Sequence, residues 1–489
     1  MAFADLREWL TMVEKRGELL RLSGVSHELE MSGIAEVLGR ESKVSPPATF
    51  FDDIPGFPKG FRTLFGMLTT PLRLALALGL PDDQLDRVSL VKNWRNKWHQ
   101  LKPIPSPIVK SGPVLENVYS GKDVDLLKFP VPLFHEQDGG RYFGTAHGVI
   151  TRDPDNPSYV NFGGYRNMLV DKNRIALHVQ AGKDGHIMLR KYMERKKPMP
   201  VAIAVGMDPA LWFMSITGIP YGASEYDYSG AIRGNPTELV EAPYTGLPVP
   251  ARAELVVEGE LHPDDFVQEG PFGEWNGYYC NRGLESAPEP VIRIKTVMHR
   301  NNPIFTSVCG GKPPHDYSLP FCMSKSGMIW DALDGCAVPG VAGVWCHEVG
   351  GSQLFNIISL KQAYAGHARQ AALIASQCGG NIGRYTVVVD DDVDPSNLHE
   401  VMWVVATRAD PERAIEVLRY CRSNNSDPAV PIDLKRKLGP HGAFFMSRAI
   451  IDACRPFDWK HEFYPIAQIS PELRTKLLQK FDQVFQKWL

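Results

Sequence analysis

The chain has no apolar run approaching the roughly 18 residues that a membrane span needs, which excludes a spanning helix. Its opening residues, MAFADLREWL, carry acids early and lack the apolar centre of a secretory signal, so a cytoplasmic location is expected. An excess of basic charge is also missing: 53 Lys and Arg stand against 56 Asp and Glu, a net charge of −3. That balance leaves no electrostatic footprint for nucleic acid or an anionic membrane surface. The eight cysteines (280, 309, 322, 336, 346, 378, 421 and 454) form no CxxC pair, which argues against a disulfide framework or thiolate zinc site and for buried, reduced thiols. Internal repeats and low-complexity tracts are absent as well.

What is present is an ordinary globular composition, 44% hydrophobic and 22% charged, over 489 residues. That length exceeds one core and implies two or three domains. Asp5 is placed to cap a helix with an apolar face of Leu6, Trp9, Leu10 and Val13, ended by Gly17, and the strand-like LLRLSGV follows. Residues 103–132 are rich in proline and turn formers and mark a first boundary. From Tyr142 to about Ser307 the pattern becomes short β-type runs (HGVITRD, VAIAVGM, ARAELVVEGEL, VIRIKTVMH) separated by turns, favouring a barrel or compact antiparallel domain. One amphipathic helix, HIMLRKYMERKKP, interrupts them.

After Cys309 the pattern returns to α/β. SKSGMIWDALDG and AGHARQAALIASQCGG read as helices, VAGVWCHEV, FNIISLK and RYTVVVDDDVD as strands, and HEVMWVVATRA as a further apolar segment. Ser470 caps a terminal helix with Pro471 at its first position; Leu473, Leu477, Phe481, Val484 and Trp488 repeat at helical spacing and need a surface to cover them.

Three groups of residues can carry chemistry. EGPFGE (269–274) holds two carboxylates, Glu269 and Glu274, on a tight Gly-Pro/Gly turn; in one pocket each opposes the other's ionisation, so one can serve as an acid. The alternative is an exposed loop with two solvated glutamates. In NFGGYR (161–166), Gly163 and Gly164 let backbone N–H groups approach an anion and Arg166 adds a fixed positive charge, although an ordinary hairpin fits the same residues. Asn161, His186 and Glu225 offer oxygen donors and one imidazole suited to Mn²⁺ or Mg²⁺; equally, His186 fits a helix cap or core position. DDDVD (390–394) reads as a solvated strand end and KRK (435–437) as a surface patch. His315 and Asp316, in a loop near a domain junction, are candidates for a pocket wall.

Taken together, DLREWL…GELLRL, LKFPVPLFHEQDGGRYFGTAHGVI, NFGGYR, GASEYDYSGAIRG, EGPFGEWNGYY and VDDDVDPSNLHEVMWVVATR resemble, in order and spacing, the UbiD family of prenylated-FMN-dependent decarboxylases. The resemblance implies an α+β and α/β multidomain chain. Its parts would be an N-terminal α/β segment (1–115), a split β-barrel flavin domain (116–308), a linker helix region (309–330), a C-terminal α/β domain (331–460) and an oligomerisation helix (461–489). It implies reversible non-oxidative decarboxylation of an aromatic, heteroaromatic or α,β-unsaturated acid through a covalent substrate–prenylated-FMN adduct, with Arg166, Glu269 and Glu274 as the catalytic network and Glu274 the proton donor. Asn161, His186 and Glu225 would bind Mn²⁺ (or Mg²⁺), with K⁺ nearby, and Gly163, Gly164, Tyr165 and Arg166 would lie along the flavin. A flavin prenyltransferase would supply the cofactor, and the chain would act as a homodimer or higher homo-oligomer. The lysine that meets the cofactor phosphate in some family members is missing; GGNIGR (379–384) stands in its place and makes Arg384 a candidate substitute. The alternatives are a flavin-binding redox protein on the same barrel, and a non-catalytic ligand-binding member.

Overall fold

The structure, a computed structural model, describes residues 3–378, 382–439 and 442–488, the side chains of 487 and 488 excepted. The Asp5 carboxylate accepts hydrogen bonds from the backbone N–H groups of Arg7 and Glu8 and caps the helix Leu6–Lys15, which buries Leu6, Trp9, Leu10 and Val13. A four-stranded sheet follows in the order Leu19–Ser23, Ala48–Asp52, Arg62–Phe65 and Ile304–Thr306. Its last strand comes from far along the chain, so the segment that leaves the central domain also completes the first sheet.

The centre is a curled half-barrel sheet of nine strands. From one lip to the other its path runs Tyr142–Gly144, Arg166–Leu169, Arg174–His178, Ala287–His299, Leu255–Glu269, Met199–Val205, His147–Arg152 and Val160–Gly163, and Asn117–Ser120 pairs with Ala287–His299. The β-type runs expected here all appear as strands. The long pair Leu255–Glu269 and Ala287–His299 slips register twice, at Glu258/Gly259 and between Leu261 and Phe266; such bulges bend and twist a sheet. Val201, Ile203, Val257, Ile292 and Leu177 fill the concave core. The helix Asp184–Glu194 interrupts the strands as anticipated.

The C-terminal domain is a five-stranded sheet ordered Val341–Cys346, Phe355–Leu360, Tyr385–Asp390, Phe444–Asp452, Ile415–Ser423. It is parallel through its middle and antiparallel at both edges. The helix Ser318–Gly335 links it to the half-barrel. HEVMWVVATRA falls in the helix Leu398–Arg408, which Asn397 caps. Asp390 and Asp392 are not a solvated strand end: Arg408 and Arg455 pair with both.

The chain closes on two short helices, Pro471–Lys480 and Asp482–Trp488, broken at Phe481, instead of one continuous helix. Ser470 caps the first, and Leu473, Phe481 and Val484 are exposed. The Trp488 side chain lies outside the described residues. None of the eight cysteines forms a disulfide, and among the described residues no helix is long and apolar enough to cross a membrane.

Candidate functional site

NFGGYR is not a hairpin. It carries the chain from the strand Val160–Gly163 at one lip of the half-barrel to Arg166–Leu169 near the other. Tyr165 folds back over this crossing, so a Cβ on Gly163 would lie 2.5 Å from its ring. The Gly164 N–H donates to the Ser215 carbonyl at 2.8 Å. The Tyr165 hydroxyl accepts from the Gly185 N–H at 3.0 Å and from the Asn161 amide at 3.1 Å, pinning the crossing to the start of the helix Asp184–Glu194.

The crossing delivers Arg166 to the turn that ends the long strand Leu255–Glu269. Arg166 Nε and Nη2 donate to the two oxygens of Glu269, each at 2.8 Å, and Nη1 donates to Glu274 Oε1 at 2.7 Å. The guanidinium stacks over Phe272, 4.7 Å from the ring centroid. Asn281 adds a 2.6 Å hydrogen bond to the same Glu274 oxygen. Glu269 is 3% exposed and Glu274 6%, so EGPFGE is a buried carboxylate pair held by one guanidinium, and the solvated-loop alternative falls. Burial alone would raise the Glu269 pKa, but the Arg166 charge and hydrogen bonds outweigh it and hold that carboxyl below its ordinary value.

A cavity of about 960 Å³ opens between the half-barrel, the helix Ser318–Gly335 and the C-terminal domain. Arg166 and Glu274 line it; Glu269 lies behind them and lines a small adjoining void together with Arg166, His178 and Glu289. Phe272, Tyr317 and Phe321 give the cavity aromatic wall. The sequence-derived residues Asn161, Gly163, Gly164, Tyr165 and Glu225 also line it.

Glu225 opens the helix Glu225–Arg233, capped by Ser224, and accepts a hydrogen bond from the Phe162 N–H at 3.1 Å. Burial, with the charge of Asp184 acting in the same direction, pushes its carboxyl pKa up to about 8. His186 stands half-buried in the first turn of Asp184–Glu194 and is not a cavity-lining residue; that turn contributes Lys183 and Asp184 instead.

His315 lines the cavity as expected, with both ring nitrogens engaged by the backbone: Nε2 donates to the Trp275 carbonyl at 2.8 Å and Nδ1 accepts from the Tyr317 N–H at 3.1 Å, whereas Asp316 is not among the lining residues. Arg384 pairs with Asp427; residues 379–381 lie outside the described residues. KRK is a surface patch only in part, because Lys435 is buried and donates to the carbonyls of Cys280 and Asp427. Sequence reading passed over His178, Lys183, Asn281, Lys325 and Arg422, all of which line the cavity. Strand alternation puts His178 on a definable face, but nothing in the sequence marks that face as the one toward Arg166.

Three family profiles match in chain order: the N-terminal, Rift-related and C-terminal domains of 3-octaprenyl-4-hydroxybenzoate carboxy-lyase, UbiD, over residues 10–89, 107–313 and 321–453. A phenolic acid decarboxylase of Sedimentibacter hydroxybenzoicus is 31% identical over 467 residues, covering 93% of this chain and 92% of that one. Another, from Streptomyces sp. (strain D7), is 32% identical over 484 residues, covering 96% and 97%. Among solved structures, the open form of vanillic acid decarboxylase from S. hydroxybenzoicus aligns with a TM-score of 0.82 at 28% identity, over 99% of this chain and 100% of that one. The UbiD-class enzyme HmfF from Pelotomaculum thermopropionicum, in complex with FMN, aligns with a TM-score of 0.83 at 25% identity, over 98% and 100%.

Proposed function

The chain belongs to the UbiD family of carboxy-lyases, and from that premise we propose that it reversibly decarboxylates an aromatic acid bearing polar ring substituents, using Arg166, Glu269 and Glu274 over a prenylated flavin. Heteroaromatic and α,β-unsaturated acids are the neighbouring substrate classes. The observation that carries the reading is the three-point grip of Arg166 on two buried carboxylates of which only Glu274 lines the cavity. The phenolic acid decarboxylases matched along nearly their whole length support the aromatic class.

The residues present fit the cofactor and metals that the family implies. Lys183, Lys325 and Arg422 line the cavity, and among the described residues neither Lys325 nor Arg422 forms an ion pair with a carboxylate, leaving a charge that a phosphate monoester matches. The buried Glu225 carboxyl and that of Asp184 stand on the same wall and oppose each other's ionisation, and with the Asn161 amide oxygen they make an oxygen donor set suited to Mn²⁺ or Mg²⁺. Asn161 and Glu225 would hold the ion, with His186 beside them on the neighbouring helix; K⁺ would sit close by. When bound, prenylated FMN supplies an electrophilic carbon for the substrate and an electron sink for the charge left as CO₂ departs.

The protein's own groups divide the remaining work. Arg166 lines the cavity beside Glu274 and orients the substrate carboxylate by charge-assisted hydrogen bonds. Glu269 takes two of the guanidinium's donors, fixes its plane and stays anionic, acting as a positioning residue. Glu274, reachable from the cavity and held by Asn281, gives the substrate carbon the proton that replaces CO₂. The aromatic wall and the C-terminal domain exclude water from that transfer.

The test is exchange of a substrate carboxylate for deuterium in D₂O, using protein produced together with a flavin prenyltransferase. Glu274→Gln is expected to cut exchange by about 10²-fold or more with flavin still bound; normal turnover by that variant refutes the proton-donor role. Under the redox-protein alternative the same variant keeps its electron-transfer activity. The exposed apolar residues of the terminal helices make a homodimer the expected assembly, which sedimentation of the full chain checks.

A further inference from the structure

His178 and Glu289 form a buried pair that the mechanism above does not use. His178 ends the strand Arg174–His178 and is the direct cross-strand partner of Arg166, so the two side chains leave the sheet side by side on one face. Its Nδ1 meets Glu289 Oε1 at 2.7 Å. Glu289 lies on Ala287–His299, next to the strand that carries Glu269, and is 7% exposed. An ionised carboxylate only accepts, so Nδ1 carries the hydrogen, and in the neutral ring the lone pair is on Nε2. No protein group among the described residues bonds Nε2, and His178 lines both the main cavity and the small void behind Arg166.

An imidazole of fixed tautomer, backed by a carboxylate and presenting an acceptor to a cavity, selects a ligand with an O–H or N–H donor. A substrate carboxylate is acceptor-only and is matched by Arg166, not by Nε2. We propose that the His178–Glu289 pair is a second catalytic site element, recognising a ring hydroxyl of the aromatic acid and taking its proton during the reaction; this rests on the decarboxylase reading given above. The hydroxyl O–H bond breaks, the proton moves to Nε2, and the electron pair stays on oxygen as a phenolate. Glu289 then faces an imidazolium and balances its charge. From an ortho or para position the phenolate pushes electron density onto the ring carbon that carries the carboxylate, the carbon to which Glu274 delivers a proton. When the product leaves, Nε2 returns its proton to the oxygen, so the pair is restored with no net change.

A bound cation is the competing use of this place, since atoms of His178, Glu269 and Glu289 lie within 4.8 Å of one another. Arg166 already occupies both oxygens of Glu269, which favours the hydrogen-bonding role.

The experiment uses holoenzyme loaded with prenylated flavin and compares 2- and 4-hydroxybenzoate with the matching methoxybenzoates, reading kcat and KM for deuterium exchange. The wild-type protein is expected to prefer at least one hydroxy acid over its methoxy counterpart by about tenfold or more, because a site built around a hydroxyl rejects the analogue lacking the donor. His178→Ala should erase that preference by lowering turnover of the hydroxy acid alone, with flavin retained. Glu289→Gln keeps the ring but frees its tautomer, and should reduce the same preference in a protein whose packing is preserved. Equal losses on both acids, or no loss, overturn the proposal. So does a stoichiometric metal ion in the wild-type protein that disappears in Glu289→Gln. Failure of the wild-type holoenzyme to exchange any aromatic acid overturns the decarboxylase reading as well, whereas exchange without hydroxyl preference overturns this inference alone.

Discussion

Gly139 and Gly270 touch backbone to backbone: a Cβ on Gly139 would lie 1.9 Å from the Gly270 carbonyl oxygen. The Gly139 N–H donates to the Pro271 carbonyl at 2.8 Å, and the Tyr142 hydroxyl donates to the same carbonyl at 3.1 Å. The turn that separates Glu269 from Glu274 is therefore seated on the Gly139 backbone. Gly139→Ala must displace the turn from its present seat, and a displacement of about 1 Å at a catalytic group costs on the order of 10²-fold in rate. The expected result is a kcat lowered by one to two orders of magnitude with the flavin absorbance of the purified protein unchanged. Wild-type kcat in that variant would detach this contact from the placement of the two glutamates.

Arg166 cannot be replaced by another cation without loss. Lysine would bring one ammonium where a planar fork now makes three hydrogen bonds, and the side chain is only 12% exposed. Arg166→Ala leaves two buried carboxylates facing each other, and breaking a buried pair in this way costs about 3–5 kcal/mol. Thermal unfolding is expected to show Arg166→Ala well below Arg166→Lys, and Arg166→Lys below wild type. Decarboxylation should be nearly lost in both. Equal midpoints for all three proteins would contradict the buried-pair geometry.

Much of the fold was legible because local rules and tertiary packing agree. Asp5 and Ser470 cap helices as their side chains dictate, and the short β-type runs of the centre became strands. What could not be read was which distant residues meet. Ile304–Thr306 joins a sheet begun at Leu19, and NFGGYR spans the lips of the half-barrel; both depend on a curl that no local pattern encodes. The same holds at the site. EGPFGE and Arg166 were visible as motifs, but His178 and Asn281 sit on an ordinary strand and turn and acquire meaning only through Arg166 and Glu274. Composition also misled at KRK, where Lys435 is drawn inward by two carbonyls.

Acid should loosen the Arg166–Glu269 pair. The folded Glu269 pKa lies below its ordinary 4.5, so the pair's contribution to stability is present in full above that value and is lost as pH falls through the lower, folded one. Unfolding midpoints measured from about pH 6 downward should fall more steeply in wild type than in Glu269→Gln, whose side chain does not titrate. Parallel curves would assign the acid sensitivity to other carboxylates.

Glu225 predicts the opposite slope, and with it a way to detect a cation. Its pKa rises from 4.5 to about 8 in the folded protein, so folding binds a proton between those values and metal-free stability falls as pH increases across that window. A divalent ion needs the carboxylate ionised and must displace this proton below pH 8, which weakens apparent affinity by about tenfold per pH unit. Mn²⁺ should therefore raise the unfolding midpoint more near pH 8 than near pH 6. Glu225→Gln should remove most of that increment while making the metal-free protein less sensitive to pH, because the buried group no longer carries a charge. Mn²⁺ stabilisation that is independent of pH and survives Glu225→Gln would take Glu225 out of the metal site, leaving Asn161 and the start of the helix Asp184–Glu194 to hold the ion without it.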